Sequence, residues 1–302
     1  MSFPAASSRG LVTRVGLVQM ACSDDAPANL ERALEACREA AGRGAQIVCL
    51  QELFATPYFC QQESPEAFDL AEGLDGPILR VCRDLARELA VVLIVPFFER
   101  RAAGVYHNSV AIVEADGSVV GLYRKMHIPH DTLYFEKYYF TPGDLDFVAV
   151  TTQAARLGPL ICWDQWYPEA ARLTVLRGAQ ILLYPTAIGW HESAELSGDA
   201  EERSVERDAW ETMQRSHAIA NGVFVVSVNR VGVEGKLRFW GSSFVCDPAG
   251  RVLARAGEEG DEVLVVDCDL GQIETARRLW PFLRDRRLDA YSDLTSRWLE
   301  AP

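Results

Sequence analysis

Four side chains in this sequence have the chemistry of a covalent hydrolase, provided the fold brings them together. Cys162 ends the apolar run Leu157-Gly158-Pro159-Leu160-Ile161 and leads into Trp163-Asp164-Gln165-Trp166-Tyr167-Pro168-Glu169. A thiol on such a strand-to-helix turn stands at the top of a sheet, and the backbone N–H of Trp163 can point at a developing oxyanion. Glu52 follows a second apolar run, Ile47-Val48-Cys49-Leu50-Gln51. A carboxylate at the mouth of a buried strand sits where its pKa can rise, which suits a general base for a thiol. Lys125 closes a third such run, and an ammonium beside the thiol would stabilise a thiolate and a tetrahedral oxyanion. Glu136 lies among Tyr134, Phe135, Tyr138, Tyr139 and Phe140, either as a partly buried acid with a partner or as a rim residue.

Taken singly, each has an ordinary explanation. A cysteine ending an apolar strand is most often core, and a lysine at a strand end most often surface. Glu52, Lys125 and Cys162 all fall at strand ends, however, and in one sheet such ends converge on one crevice. Spacing alone does not show that the three meet.

The elements that must position them can be read from periodicity. Residues 12–20, 46–50, 91–97, 157–162, 180–184 and 223–228 are short apolar runs of the kind buried on both faces of a sheet. Residues 30–41, 77–89, 168–177 and 204–220 carry helical spacing, with Asn29 placed to cap the first and Pro77 to start the second. Residues 108–113 and 119–123 predict a hairpin around Asp116-Gly117. Further strands are expected at 147–150, 243–246, 251–256 and 262–266, and a long polar loop at 190–204. Helices alternating with strands, interrupted by tight hairpins, predict layered α/β with mixed sheets. With no low-complexity linker, a single domain over 1–302 is expected, with 1–10 a flexible N-terminus and 280–302 a C-terminal extension.

The chain has 302 residues, 49% of them hydrophobic, and a net charge of −13. The acidic balance argues against a nucleic-acid partner and is compatible with a cationic substrate. No segment reaches the apolar length of a membrane span, so no membrane partner is expected. The eight cysteines include no CxxC pair, and no histidine cluster accompanies them. They are read as reduced thiols of a cytoplasmic protein, with neither disulfides nor a zinc site.

The segments Leu50-Gln51-Glu52-Leu53-Phe54, Tyr123-Arg124-Lys125-Met126-His127-Ile128-Pro129 and Cys162-Trp163-Asp164-Gln165-Trp166 resemble, in order, the three motifs of the nitrilase superfamily, the carbon–nitrogen hydrolases with a Glu-Lys-Cys triad. The resemblance runs from about residue 12 to 291. It implies a four-layer αββα sandwich, with Glu52 as general base, Lys125 stabilising the tetrahedral intermediate, Cys162 as nucleophile and Glu136 positioning substrate and base. It implies no metal or organic cofactor, and assembly as a homodimer or larger homo-oligomer to which 280–291 contributes packing.

Within the superfamily, Tyr184-Pro185-Thr186-Ala187-Ile188-Gly189-Trp190-His191 and Trp280-Pro281-Phe282-Leu283-Arg284 resemble the branch that hydrolyses N-carbamoylputrescine to putrescine, ammonia and carbon dioxide, a step of polyamine formation from agmatine. Members acting on carbamoyl amino acids place arginines shortly after the nucleophile. Here Gln165 and Trp166 stand there, so no bidentate carboxylate clamp is available, and aromatic walls suit a cationic carbamoyl-amine instead. Tyr58, Trp163 and Trp190 are candidate walls, and Glu192 or Glu195 a candidate for the far ammonium. His130 departs from the pattern, which has a small or acidic residue there. Other readings are a β-ureidopropionase or ω-amidase type of enzyme, or a catalytically silent interaction protein on the same scaffold.

Overall fold

Fully buried runs such as Ile47-Val48-Cys49-Leu50 need apolar neighbours on both faces, and the architecture supplies them. A computed structural model describes residues 12–193 and 198–300, so the expectation of a flexible 1–10 lies outside the described residues. The first sheet contains β1 (Val12–Gln19), β2 (Ile47–Leu50), β3 (Val92–Ala102), β4 (Val105–Val113), β5 (Val119–Arg124) and β15 (Glu262–Asp269), in the order β15-β1-β2-β3-β4-β5. The second contains β6 (Val150–Thr151), β7 (Arg156–Pro159), β8 (Ile181–Thr186), β10 (Phe224–Asn229), β13 (Phe244–Cys246) and β14 (Val252–Arg255), in the order β14-β13-β10-β8-β7-β6.

Both sheets repeat one pattern. An antiparallel edge strand precedes three parallel strands, and two antiparallel strands follow. Ile47 and Cys49 face the core between the sheets, against residues such as Leu157 and Leu183. Val48 and Leu50 face outward, against Ala33 and Cys37 of α1 (Ala26–Gly42) and Leu79 and Cys82 of α2 (Pro77–Leu89). Helices α4 (Pro168–Leu176) and α5 (Ala200–Asn221) cover the second sheet. This is a helix–sheet–sheet–helix sandwich, and at about 25 cal/mol per Å² of apolar surface removed from water the inter-sheet layer is its main cohesive element.

Several local expectations are corrected. Helix α1 is capped by Asp25, whose side chain accepts from Ala28 N; Asn29 is buried and accepts from Ser23 N instead. The strand expected to reach Cys162 ends at Pro159, and that expected at 147–150 shrinks to Val150–Thr151. The polar 190–204 stretch is not one loop. Gly189–His191 forms β9, which pairs with β12 (Leu237–Trp240) and through it with β11 (Val231–Glu234) in a third small sheet. Helix α5 already starts at Ala200, with an Asp199–Glu202 capping box. The Asp116-Gly117 hairpin forms, with Gly117 at φ 81°.

Candidate active site

Glu52 and Cys162 follow the ends of parallel strands β2 and β7, one in each sheet, while Lys125 directly follows β5. Each is held by its backbone. Cys162 opens a 3₁₀ turn (Cys162–Trp166) at φ 41°, and Leu53, directly after Glu52, has φ 50°. Positive φ is uncommon for residues with a side chain, and such strain persists only where the surroundings impose it. Buried Asp164 imposes it at the cysteine: its carboxylate accepts from Ile161 N (3.0 Å), Tyr123 Oη (2.7 Å) and His127 N (3.1 Å). Lys125 N donates to Asn108 O, and Lys125 O accepts from Gly143 N at 2.8 Å. A side chain at Gly143 would put its Cβ 2.1 Å from Arg124 O, so only glycine permits that approach.

The side chains meet. Lys125 Nζ donates to Glu52 Oε1 at 2.8 Å and to Glu136 Oε2 at 2.6 Å, and all three residues are fully buried. Glu136 opens the short helix α3 (Glu136–Tyr139), and its Oε1 accepts from Tyr58 Oη at 2.7 Å. Asn108 Nδ2 donates to Glu52 Oε1 at 2.7 Å. Glu52 Oε2, by contrast, is buried without a hydrogen-bond partner, an acceptor left open in a site where open acceptors are costly. Cys162 is also buried, its Sγ 3.9 Å from Ala187 O.

Two carboxylates, one ammonium and one thiol share this desolvated volume, so the charges do not balance. Burial pushes Glu136 up, to about 7, against the pull of Lys125. Burial by itself would lower Lys125, but Glu136 and Glu52 reverse the direction and keep it an ammonium. Burial also pushes the Cys162 thiol well up; Glu52 adds to that, and Lys125 offsets only part. Burial and Glu52 thus favour the protonated thiol over the thiolate that the lysine alone would stabilise.

A cavity of about 610 Å³ opens onto Cys162. Trp163, Trp166 and Trp190 line it, as do Tyr134, Asp131 and Glu206, and none of its described lining residues is lysine or arginine. Of the candidate walls, Trp163 and Trp190 line this cavity. Neither Tyr58 nor Glu192 lines it. Tyr58 lines a separate cavity and turns its hydroxyl to Glu136. Glu192 pairs with Arg238 at 2.9 Å, both side chains about half exposed, and Glu195 lies outside the described residues. Gln165 does not face the substrate cavity either; its Oε1 accepts from Trp210 Nε1 (2.8 Å) and Gln214 Nε2 (3.2 Å) of α5. His130 is exposed, edge-on to Phe135. Asn108 and Glu206 were not singled out from sequence. Asn108 sits inside a β-strand pattern and Glu206 on a charged helix face, so neither carries a local signal.

The carbon–nitrogen hydrolase family model matches residues 14–278. The chain is 43% identical to the N-carbamoylputrescine amidase of Solanum lycopersicum over 96% of each chain. It is 39% identical to a citrullinase of Francisella tularensis, over 94% of this chain and 99% of that one. Among solved structures, a carbon–nitrogen hydrolase from Helicobacter pylori superposes with a TM-score of 0.91 at 45% identity, covering 95% of this chain and all of the other.

Proposed function

The chain belongs to the carbon–nitrogen hydrolase family, the nitrilase superfamily, and on that premise we propose that it hydrolyses N-carbamoylputrescine to putrescine, ammonia and carbon dioxide through a covalent adduct on Cys162. The observation that carries the substrate class is the cavity at Cys162: indole faces and two carboxylates, with His191 beside them and neither lysine nor arginine among its described lining residues. Such a wall attracts an alkylammonium and repels a carboxylate.

The chemistry follows from the open oxygen of Glu52. Glu52 Oε2 takes the thiol proton as sulfur attacks the carbamoyl carbon. Proton transfer is coupled to attack because the resting thiol holds its proton tightly. Lys125 and the Trp163 N–H face the oxyanion. The amine or ammonia departs with the proton from Glu52, leaving a thiocarbamate on Cys162, unsubstituted on nitrogen when the amine leaves first and N-alkyl when ammonia does. Water deprotonated by Glu52 then attacks the adduct and Cys162 regains its proton; the released carbamic acid breaks down to carbon dioxide and the remaining nitrogen product, ammonia when the amine left first and the amine when ammonia did. Glu136 keeps Lys125 charged and in place throughout.

The citrullinase relative defines the second reading, since citrulline carries a carboxylate as well as an ammonium on the same ureido chain. Turnover of N-carbamoylputrescine, citrulline and N-carbamoyl-β-alanine in parallel decides between them; preference for either carboxylate-bearing substrate contradicts the putrescine reading.

We further propose that the protein works as a homo-oligomer in the cytoplasm. The C-terminal stretch exposes Leu288 (70%), Leu294 (64%) and Trp298 (85%), apolar groups that a second copy would cover. The eight described cysteines are free thiols, as suits a reducing compartment. Among the described residues no helix is long and apolar enough to cross a membrane. Sedimentation of the full chain tests the assembly.

A further inference from the structure

Two of the carboxylates at the catalytic centre depend on a segment with little structure of its own. Residues 53–58 connect Glu52 to Tyr58 through turns, with Thr56 N to Leu53 O (3.2 Å) as an internal backbone bond. Glu52 precedes this segment, and Tyr58, at its end, donates to Glu136. What grips it is Arg230, a fully buried residue between β10 and β11. One guanidinium nitrogen, Nη2, donates to Leu53 O at 2.9 Å and to Thr56 O. The other, Nη1, donates at 2.8 Å to Glu234 Oε2, which also accepts from Tyr58 N at 2.7 Å. The guanidinium lies over Phe239, whose ring packs edge-on against Tyr58.

A buried ion pair is a poor device for stability alone, because desolvation of both charges offsets most of their attraction. It is a good device for geometry: the rigid planar fork of arginine fixes the directions of several acceptors at once, which the flexible ammonium of lysine does not. We propose that the Arg230–Glu234 pair is a positioning clamp for the acid–base machinery. It holds Glu52 through the Leu53 and Thr56 carbonyls, and it holds Glu136 through Tyr58. Neither clamp residue lines the Cys162 cavity, so both act only through the groups they place. This rests on the reading of Glu52 and Glu136 as catalytic.

The test compares Glu234→Gln, Arg230→Lys, Tyr58→Phe and the Glu234→Gln/Tyr58→Phe double variant with Glu52→Gln. Each is followed by thermal melting, by kcat and KM for N-carbamoylputrescine against pH, and by the pH dependence of Cys162 alkylation with iodoacetamide, read by peptide mapping. Tyr58→Phe removes a hydrogen bond that favours ionised Glu136, so the acidic limb of both profiles moves to higher pH. The clamp predicts the same upward movement in Glu234→Gln and Arg230→Lys, with kcat down about tenfold and KM nearly unchanged. Glu234→Gln deletes a negative charge, so a field effect alone would move the limb down instead. The sign therefore separates positioning from electrostatics. Because both act through Tyr58, the double variant shifts the limb no further than Tyr58→Phe alone.

Lower melting temperatures with unmoved pH limbs and unchanged kcat would overturn the clamp, as would a downward shift or additive shifts in the double variant. Loss of alkylation and turnover in Glu52→Gln beside unmoved clamp variants leaves the catalytic reading standing and the clamp refuted. An active Glu52→Gln refutes the catalytic reading itself.

Discussion

Asn108 and Glu52 are joined by a 2.7 Å hydrogen bond, and it falls on the same carboxylate oxygen that accepts from Lys125. The two donors converge on Oε1 and leave Oε2 as the open acceptor. In the proposed mechanism Asn108 thus selects which oxygen of Glu52 does proton transfer. Asn108→Ala is expected to lower kcat by about 10- to 100-fold, since a misplaced base loses most of its general-base contribution, while KM moves little. Steady-state kinetics with equal folded fractions checks this; a KM effect with intact kcat would place Asn108 in substrate binding instead.

The pH profile has a defined sign. Glu136 must be ionised to hold the Lys125 ammonium, and burial raises its pKa to about 7. As pH falls through 7, Glu136 takes up a proton and Lys125 loses one anchor. Activity should therefore rise with pH across that window, with the acidic limb near neutrality rather than near 4. Glu136→Gln should abolish the limb along with most of kcat. A limb at ordinary carboxylate pH would show that Glu136 is not the controlling group.

On the proposed carbamoyl-amine reading, Glu206 and Asp131, the two carboxylates on the cavity wall, are the groups that would meet the substrate's ammonium. Glu206→Gln should raise KM for N-carbamoylputrescine about three- to tenfold, within the range of a partly solvated charge contact, and leave kcat close to wild type. Butylurea, which lacks the ammonium, should be indifferent to the change. Equal loss on both substrates would mean the variant disturbs the cavity rather than one contact.

Legibility in the sequence divided along physical lines. Ile47-Val48-Cys49-Leu50 announced a strand buried on both faces because nothing in it is polar, and Pro77 marked the start of α2 correctly. The apolar run through Ile161 predicted a strand reaching Cys162, but the strand ends at Pro159 and Cys162 opens a 3₁₀ turn, because burial alone keeps Leu160 and Ile161 apolar. The meeting of Lys125 with Glu52 and Glu136 could not be read from spacing, because it depends on how strands far apart in the chain pair. Glu192 drew attention as an acid in a polar stretch, yet Arg238, brought beside it by β12 pairing with β9, neutralises it. Asn108 stands between His107 and Ser109, and Arg230 follows Asn229, so nothing in the local pattern sets either apart until its partners from other segments are known.

Backbone approach at Lys125 gives a stability prediction. Gly143→Ala would force a Cβ to within 2.1 Å of Arg124 O, displacing the bond between Gly143 N and Lys125 O. A loss of about 1–3 kcal/mol is expected for overpacking of this kind, read as a fall in melting temperature. Activity in the folded fraction should fall as well, since Lys125 moves with its backbone. A variant with wild-type melting and activity would show that the segment relaxes freely.

The identity of the nucleophile is tested most directly by quenching the enzyme during turnover of N-carbamoylputrescine and mapping the adduct by peptide mass spectrometry. The mechanism predicts a carbamoyl-type adduct on the peptide carrying Cys162, absent in Cys162→Ala, which folds normally and does not turn over. An adduct on any other cysteine, or turnover retained in Cys162→Ala, would contradict it.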